Sequence, residues 1–259
     1  MRVFLVVTAW LVALAVALGV FAWFFALPIE ARYWGRKVPV LRETPVPLRV
    51  TAVTDSPGRN MDFCGTEFEI PWNDQNDSKT TSGVNSIILH FDSGLVVVVK
   101  CQPPREYVDG VLDAIHMNRE MFRRAYGDRA VESDYVLTRL ILETTPDSVS
   151  VFDGSHRNQG PMMSLLVLKA IGTPVADTGI FSIHTPEFDG FQYQDPAAGS
   201  SMIVMDLFSE DRGLEFLFAP KYNGASAHLS QADINRIVQT LHKIGPYTPL
   251  KQTSLGGAH

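Results

Sequence analysis

The N-terminal segment constrains the architecture of this chain more than any other part. No charged residue occurs from Val3 to Ile29, and almost every residue between them is apolar. A helix needs about 20 apolar residues to cross the hydrocarbon core of a bilayer. A cleaved signal peptide has a shorter apolar region and ends in small residues, whereas this run ends in Trp23-Phe24-Phe25. We predict a retained single-pass transmembrane helix that contacts the lipid bilayer through residues 3–29; the alternative is an unusually long signal peptide.

The charges on the two sides of this run give conflicting indications of its orientation. Arg2 and the α-amino group precede it, whereas Arg32, Arg36, Lys37 and Arg42 follow it. The more basic flank usually faces the cytoplasm. However, an N-terminal anchor followed by a large domain resembles a signal-anchor, and such a domain is commonly exported. We predict an extracytoplasmic domain, and the alternative is a domain that faces the cytoplasm.

The rest of the chain divides into a linker, a domain and a tail. Residues 1–30 form the anchor, and residues 31–60 contain several prolines, which interrupt long helices. Residues 61–247 alternate between β-rich and amphipathic segments, and the whole chain has 46% apolar and 19% charged residues, as globular proteins do. Residues 248–259 show no periodic pattern, so we predict a disordered tail.

The order of the segments predicts an α+β fold. Residues 84–91 and 95–100 flank a tight turn, as do residues 201–208 and 214–219, so both pairs predict hairpins. Helices are predicted over 103–126, from Ser133 to the residue before Pro146, from Pro161 to Ala170, and from Ser230 until Gly245-Pro246 ends the last one. Strands and helices that occur in runs favour one domain with a mainly antiparallel sheet and several packed helices.

Finer expectations concern strands and the core. A first strand is expected at 48–53, a short strand or a hairpin over 63–70, and short strands at 179–185 and 188–194. The apolar strand 95–100 is expected to be covered on both faces. The predicted core comprises Ile88, Val97, Val99, Ile203, Phe216, Phe218 and Ile237.

A strand that begins at Gly213 and precedes a capped helix resembles the end of PsbP-like α+β modules. The resemblance covers only the C-terminal part of the chain and contains no diagnostic motif. It implies a fold element and no function.

Charge and cysteine content limit the possible partners and the redox state. The formal net charge is −6, and nucleic-acid affinity comes mainly from neutralising phosphates with basic residues, so we predict no nucleic-acid partner. Cys64 and Cys101 are the two cysteines. They can form one disulfide in an exported domain or remain two buried thiols, and we favour the thiols.

Motifs for cofactors and metals do not occur in this sequence. It contains no phosphate-binding glycine loop and no nucleophile elbow. The seven histidines are scattered singly. The oxygen-rich loop from Asn73 to Ser78 lacks the glycine and glutamate of an EF-hand. We therefore predict neither a cofactor nor a metal site, and we interpret this loop as solvated.

The polar loop Asp153–Gly160 is the first candidate site. It brings Asp153 and His156 close to Arg157 ahead of a helix that begins at Pro161. Backbone amides at a helix start favour anions, so the loop is a candidate anion site or part of a catalytic site. The simpler interpretation is a loop that caps the helix.

His184 is the second candidate, because it ends a predicted strand near Glu187 and Asp189. Such a histidine is a candidate general base, although a single histidine at a strand end is more often structural.

Three functional hypotheses follow from these observations. The first is a membrane-tethered, non-enzymatic module that binds a small ligand or a membrane or envelope protein. The second is an enzyme, for example a hydrolase, with a site assembled from scattered residues such as Asp153, His156 and His184. The third is a cytoplasm-facing accessory subunit of a membrane complex.

Overall fold

The structure is a computed structural model that describes residues 2–48, 58–150, 156–174, 179–198, 202–220 and 229–247. Within these ranges, the side chains of residues 2–13, 156–158 and 220 are not described. The predicted tail therefore lies outside the described residues, as does nearly all of the strand expected at 48–53.

The N-terminal helix, α1, spans Arg2–Lys37. Leu14–Lys37 is long and apolar enough to cross a membrane, judged by length and composition alone. The large apolar side chains between Leu14 and Phe25 are exposed, whereas Ala31 is completely buried. A short 3₁₀ helix, Pro39–Arg42, follows directly. One helix therefore continues from the apolar run into contact with the domain.

Six further α-helices lie in the described part of the domain. They are α2 (Glu106–Ala114), α3 (Arg119–Tyr126), α4 (Asp128–Glu132), α5 (Asp134–Glu143), α6 (His156–Gly172) and α7 (Gln231–Thr240). Ser133 and Ser230 cap α5 and α7, as the sequence predicted, and their side chains accept hydrogen bonds from Val136 N and Asp233 N.

The strands form one large and one small sheet. They are β1 (Val46–Pro47), β2 (Arg59–Phe63), β3 (Thr66–Ile70), β4 (Thr81–Ser82), β5 (Ser86–His90), β6 (Leu95–Gln102), β7 (Ile180–His184), β8 (Asp189–Tyr193), β9 (Ile203–Phe208), β10 (Gly213–Pro220) and β11 (His242–Lys243). The eight-stranded sheet has the order β1-β7-β8-β9-β10-β6-β5-β4, and the other sheet has the order β11-β3-β2. Only β1 and β7 pair in parallel among these strands. The predicted α+β class with a mainly antiparallel sheet is confirmed.

The two faces of the large sheet pack against different partners. One face packs against α7 and the β2–β3 hairpin in the largest apolar cluster. The opposite face packs against α5 and the segment that follows α1, where Leu142 and Val40 contact Phe191 and Val204. The helices α2 to α6 share a core of their own around Phe122 and Leu137.

Three sequence predictions about elements are wrong. The helix expected over 103–126 is two helices, because His116 adopts a φ of +51° and the Asn118 side chain begins α3 by accepting a hydrogen bond from Met121 N. The loop Asp153–Gly160 is helical from His156 onward, so α6 begins before Pro161 and includes it. The last helix ends at Thr240, and β11 follows it.

Two predictions about burial are also wrong. Ile88 is only half-buried, and its neighbour Leu89 lies in the core instead. The strand β6 is buried on one face and half-exposed on the other, since Val97 and Val99 are buried and Val98 is not. The other six predicted core residues are buried.

The two cysteines form a disulfide, which corrects the favoured interpretation of free thiols. Cys64 lies in the turn between β2 and β3, and Cys101 lies in β6. The bridge joins residues 37 positions apart, so it fastens the small sheet to a central strand of the large sheet.

Candidate functional site

His184 lies at the end of β7, opposite Asp189 in β8. Its Nδ1 contacts the Asp189 carboxylate, and the side chain of His184 is 85% exposed. Both residues line a cleft of about 760 Å³ at the loop end of the large sheet, together with Glu187, Glu210 and Lys243. The structure therefore places His184 in one cleft with its predicted neighbours Glu187 and Asp189, and the exposed imidazole contacts the half-buried Asp189 carboxylate.

The serine and threonine hydroxyl groups around this cleft are already engaged. The Thr185 hydroxyl bonds to the backbone of Phe188, and the Ser209 hydroxyl donates to Asp211. The Ser133 hydroxyl accepts the hydrogen bond that caps α5. These side chains stabilise turns and a helix start, so none is poised as a nucleophile toward His184.

The other two candidate catalytic residues, Asp153 and His156, belong to the segment at the start of α6. Asp153 lies outside the described residues, and His156 is the first residue of α6. The start of α6 lies beside α1, because Gln159 Nε2 donates a hydrogen bond of 3.2 Å to the carbonyl oxygen of Phe24.

A second pocket lies between the helices and the large sheet. Its volume is about 320 Å³. The lining residues are Gln102, Tyr107, Thr138, Gly172, Pro174, Tyr193, Met202, Val204, Asp206, Phe208, Leu214, Glu215 and Leu217. We call this the Asp206 pocket, after the aspartate in its lining.

The Asp206 carboxyl is protonated over a wider pH range than an exposed aspartate. Burial and the nearby negative charge of Glu215 raise its pKa to about 7. A hydrogen bond from the Tyr193 hydroxyl and the positive charge of Lys100 act in the opposite direction but are weaker. Asp206 therefore changes its charge near neutral pH, which is unusual for a carboxyl group.

Two tyrosines place hydroxyl groups in this pocket. Burial, followed by the charge of Asp206, raises the pKa of Tyr107 to about 12. The same two causes raise the pKa of Tyr193 well above its usual value. Both hydroxyls keep their protons at neutral pH, so they are hydrogen-bond donors.

The backbone around the pocket fixes these side chains. A Cβ atom at Gly190 would lie 2.0 Å from the carbonyl oxygen of Asp206, so glycine alone allows β8 to approach β9 this closely. The Asp134 carboxylate accepts hydrogen bonds of 2.9 Å from the backbone N–H groups of Arg105 and Val108, which flank Tyr107. This carboxylate holds the start of α2, and with it Tyr107, in place.

Glu215 is held by a separate contact. It stands opposite both Asp206 and Lys100 in the strand register, and Lys100 Nζ lies 2.7 Å from its carboxylate. The charge of Glu215 is thereby partly neutralised from outside the pocket, while no basic side chain lies among the described lining residues.

The sequence patterns did not predict this pocket, although the sequence contains one signal for it. Asp206 is the single charged residue in the strand Ile203–Phe208. A carboxylate in an otherwise apolar strand either faces solvent or has a buried role. Its partners come from β8, β10 and α2, and no spacing along the chain connects them.

A metal site needs several ligating side chains close together. Within the described ranges, no group of three or more His, Cys, Asp or Glu side chains is arranged to hold a metal ion.

Fold and pocket together define an α+β domain with an N-terminal apolar helix. A scan against protein-family models finds no family that matches this chain, and a search of curated proteins finds no match either. Any functional conclusion therefore depends on the geometry of the chain itself.

Proposed function

We propose that this chain is a single-pass membrane protein whose domain lies outside the cytoplasm and is a non-enzymatic binding module for a small ligand. The observation that carries the proposal is the Asp206 pocket, in which one carboxyl group and two tyrosine hydroxyls converge between apolar walls. A concave, mainly apolar cavity with a few convergent polar groups is the usual form of a ligand site.

Membrane attachment is supported by α1 itself. The large apolar side chains of the helix are exposed from Leu14 to Phe25, and the helix then packs through Leu27 and Ala31 against α6. Apolar side chains exposed around a whole helix are stable in lipid and costly in water. The proposed bilayer contact is therefore the segment 3–29.

Export of the domain is supported by the Cys64–Cys101 disulfide. Disulfides persist in oxidising compartments and are rare in the cytosol, where thiols are kept reduced.

One specific observation favours the opposite orientation, in which the domain is a cytoplasmic accessory subunit. Arg32, Arg36 and Arg42 are exposed directly after the apolar run, and basic flanks usually face the cytoplasm.

The hydrogen bonds in the cleft lined by His184 and Asp189 favour a binding role over hydrolysis through a covalent intermediate. His184 and Asp189 form a pair, but nucleophilic catalysis with such a pair needs a nucleophilic side chain within hydrogen-bond reach. The serine and threonine hydroxyls that line the cleft are committed to turns and a cap.

Topology and retention of α1 are tested together. The full chain is fused at its C-terminus to alkaline phosphatase, which is active outside the cytoplasm, or to a fluorescent protein that folds inside. We expect phosphatase activity in a membrane fraction that resists carbonate extraction. Fluorescence without phosphatase activity would contradict export, and N-terminal sequencing that begins after Ala26 or Ala31 would contradict retention of the helix.

A further inference from the structure

We propose that the Asp206 pocket binds a small organic cation, such as an amine on an apolar body, with the Asp206 carboxylate as its counter-ion. This inference names the ligand class of the binding module proposed above and rests on that function. The size of the pocket, the distribution of charge around it and its aromatic lining support this ligand class.

The size and the walls of the pocket suit a small amphipathic molecule. Its volume of about 320 Å³ is at the lower end of the range for ligand sites. Val204, Phe208 and Leu217 supply apolar wall on the sheet side, and Met202 lies beside them. Burial of an apolar body against such walls contributes about 25 cal/mol for each Å² removed from water.

The charge distribution selects a cation. Asp206 and Glu215 both line the pocket, and none of the described lining residues is basic. Lys100 Nζ lies 2.7 Å from the Glu215 carboxylate and partly neutralises its charge from outside the pocket. Asp206 receives a hydrogen bond from Tyr193 and is opposed by the charge of Glu215. A ligand cation at this position would relieve that repulsion and favour the ionised carboxylate.

The aromatic residues point to the same chemistry. Tyr107, Tyr193 and Phe208 line the pocket together with Asp206. The faces of aromatic rings attract cations, and sites for ammonium ligands commonly combine such rings with a carboxylate. A neutral ligand would gain from the apolar walls but not from this attraction.

Proton and cation should therefore compete for Asp206. The groups that act on its charge are Glu215 on β10, Lys100 on β6 and the Tyr193 hydroxyl on β8. Tyr107 on α2 interacts with the Asp206 charge and also with Asp134 on α5. Asp206 changes its charge near neutral pH, since its pKa is about 7. Binding of a cation should weaken as the pH falls below 7.

The test is calorimetric titration of the full chain in dodecyl maltoside micelles with benzylamine and with its neutral counterpart benzyl alcohol. Empty micelles measure partition of each probe. At pH 8 we expect benzylamine to bind at least tenfold more tightly than benzyl alcohol. At pH 6 the affinity for benzylamine should fall roughly tenfold, because the ionised fraction of a group with a pKa near 7 falls by that factor.

Two variants with the same change of charge complete the test. Asp206→Asn should lower the affinity for benzylamine at least tenfold and remove its dependence on pH. Asp113→Asn changes an exposed aspartate on α2 and should leave affinity within twofold. The pH comparison on the unaltered chain needs no variant, so it remains decisive if Asp206→Asn fails to fold.

The inference is overturned if benzylamine and benzyl alcohol bind equally, or if binding of benzylamine is the same at pH 6 and pH 8. Either result would leave the fusion and extraction experiments unaffected, so failure of the ligand class is distinguishable from failure of the membrane-bound module. If the fusions placed the domain in the cytoplasm, the titration would likewise stay valid, because protein in a micelle meets the same buffer whatever its orientation in the membrane was.

Discussion

The guanidinium group of Arg212 donates a hydrogen bond of 2.6 Å to the carbonyl oxygen of Cys64, although 148 positions separate the two residues. The same group donates a bond of 2.6 Å to the carbonyl oxygen of Gly245 and pairs with the Asp211 carboxylate. Arg212 is 1% exposed. One buried side chain thus joins the β9–β10 turn, the β2–β3 turn and the segment after β11.

Replacement of this arginine should destabilise the domain strongly. In Arg212→Met, the carbonyls of Cys64 and Gly245 lose this donor and the Asp211 carboxylate loses one of its donors. Separating a buried charged group from its partners costs about 3–5 kcal/mol. The measurement is thermal unfolding of the full chain in detergent. Arg139→Met is the matched control, because Arg139 forms an exposed helical pair with Glu143, worth less than about 1 kcal/mol. Equal losses in both variants would contradict the role assigned to Arg212.

Loss of the Cys64–Cys101 bridge should lower stability by about 3–4 kcal/mol. A cross-link reduces the conformational entropy of the unfolded chain, and this value follows from the length of the closed loop. We expect a lower melting temperature for the double variant Cys64→Ala, Cys101→Ala and for the unaltered chain after reduction. Thiol titration of the denatured, unreduced protein should find no free thiol. Two free thiols in protein taken from membranes would contradict both the bridge and the proposed export.

The raised pKa of Asp206 predicts how stability changes with pH. Its pKa is about 7 in the folded chain and near 3.8 as a reference, so the folded state binds more protons between these values. The resulting stabilisation is fully present below about pH 4 and is lost as the pH rises through 7.

Asp206→Asn tests this dependence, because its side chain stays uncharged at every pH. The variant should not lose stability as the pH rises through 7. Its free energy of unfolding, relative to that of the unaltered chain, should therefore increase from pH 4 to pH 8. We expect a difference of about 1–4 kcal/mol, at about 1.4 kcal/mol per pKa unit. Melting temperatures measured across that range provide the comparison, and parallel curves would show that Asp206 titrates normally.

Lys169 is predicted to hold the segment after α1 against the helices. Its Nζ donates to the carbonyl oxygens of Glu43, Leu142 and Thr144 at 2.5, 2.7 and 3.0 Å, and the residue is fully buried. Lys169→Met leaves these carbonyls without a donor and should cost about 2–4 kcal/mol. Lys79→Met, at an exposed position, should change the melting temperature little. A small change of melting temperature in both variants would mean that water replaces the ammonium group as the donor to these carbonyls.

Local sequence patterns predicted the elements that depend on local interactions. The helix starts at Ser133 and Ser230 follow from capping, and the β5–β6 and β9–β10 hairpins follow from two β-rich runs around short turns. The break between α2 and α3 also has a local signal, since Asn118 is a favoured capping residue.

Tertiary pairing determined what those patterns could not. Ile87, Ile88 and Leu89 are all apolar, so alternation does not select a face of β5. The register with β6 places Leu89 opposite Val97, which faces the core beneath α7. The Asp206 pocket has the same origin, because the sheet register and the helix packing bring its members together.

The continuity of α1 has a mechanical consequence in the proposed membrane-bound arrangement. Its 36 residues measure about 54 Å at 1.5 Å per residue, and the hydrocarbon core takes about 30 Å of that length. The remaining turns are clamped by α6 and by the 3₁₀ helix Pro146–Ser148, where a Cβ at Gly35 would lie 2.4 Å from Pro146. A span meets a thinner bilayer by tilting. The domain would then tilt by the same angle as the helix. The thickness of the bilayer would thereby set the orientation of the Asp206 pocket relative to the membrane.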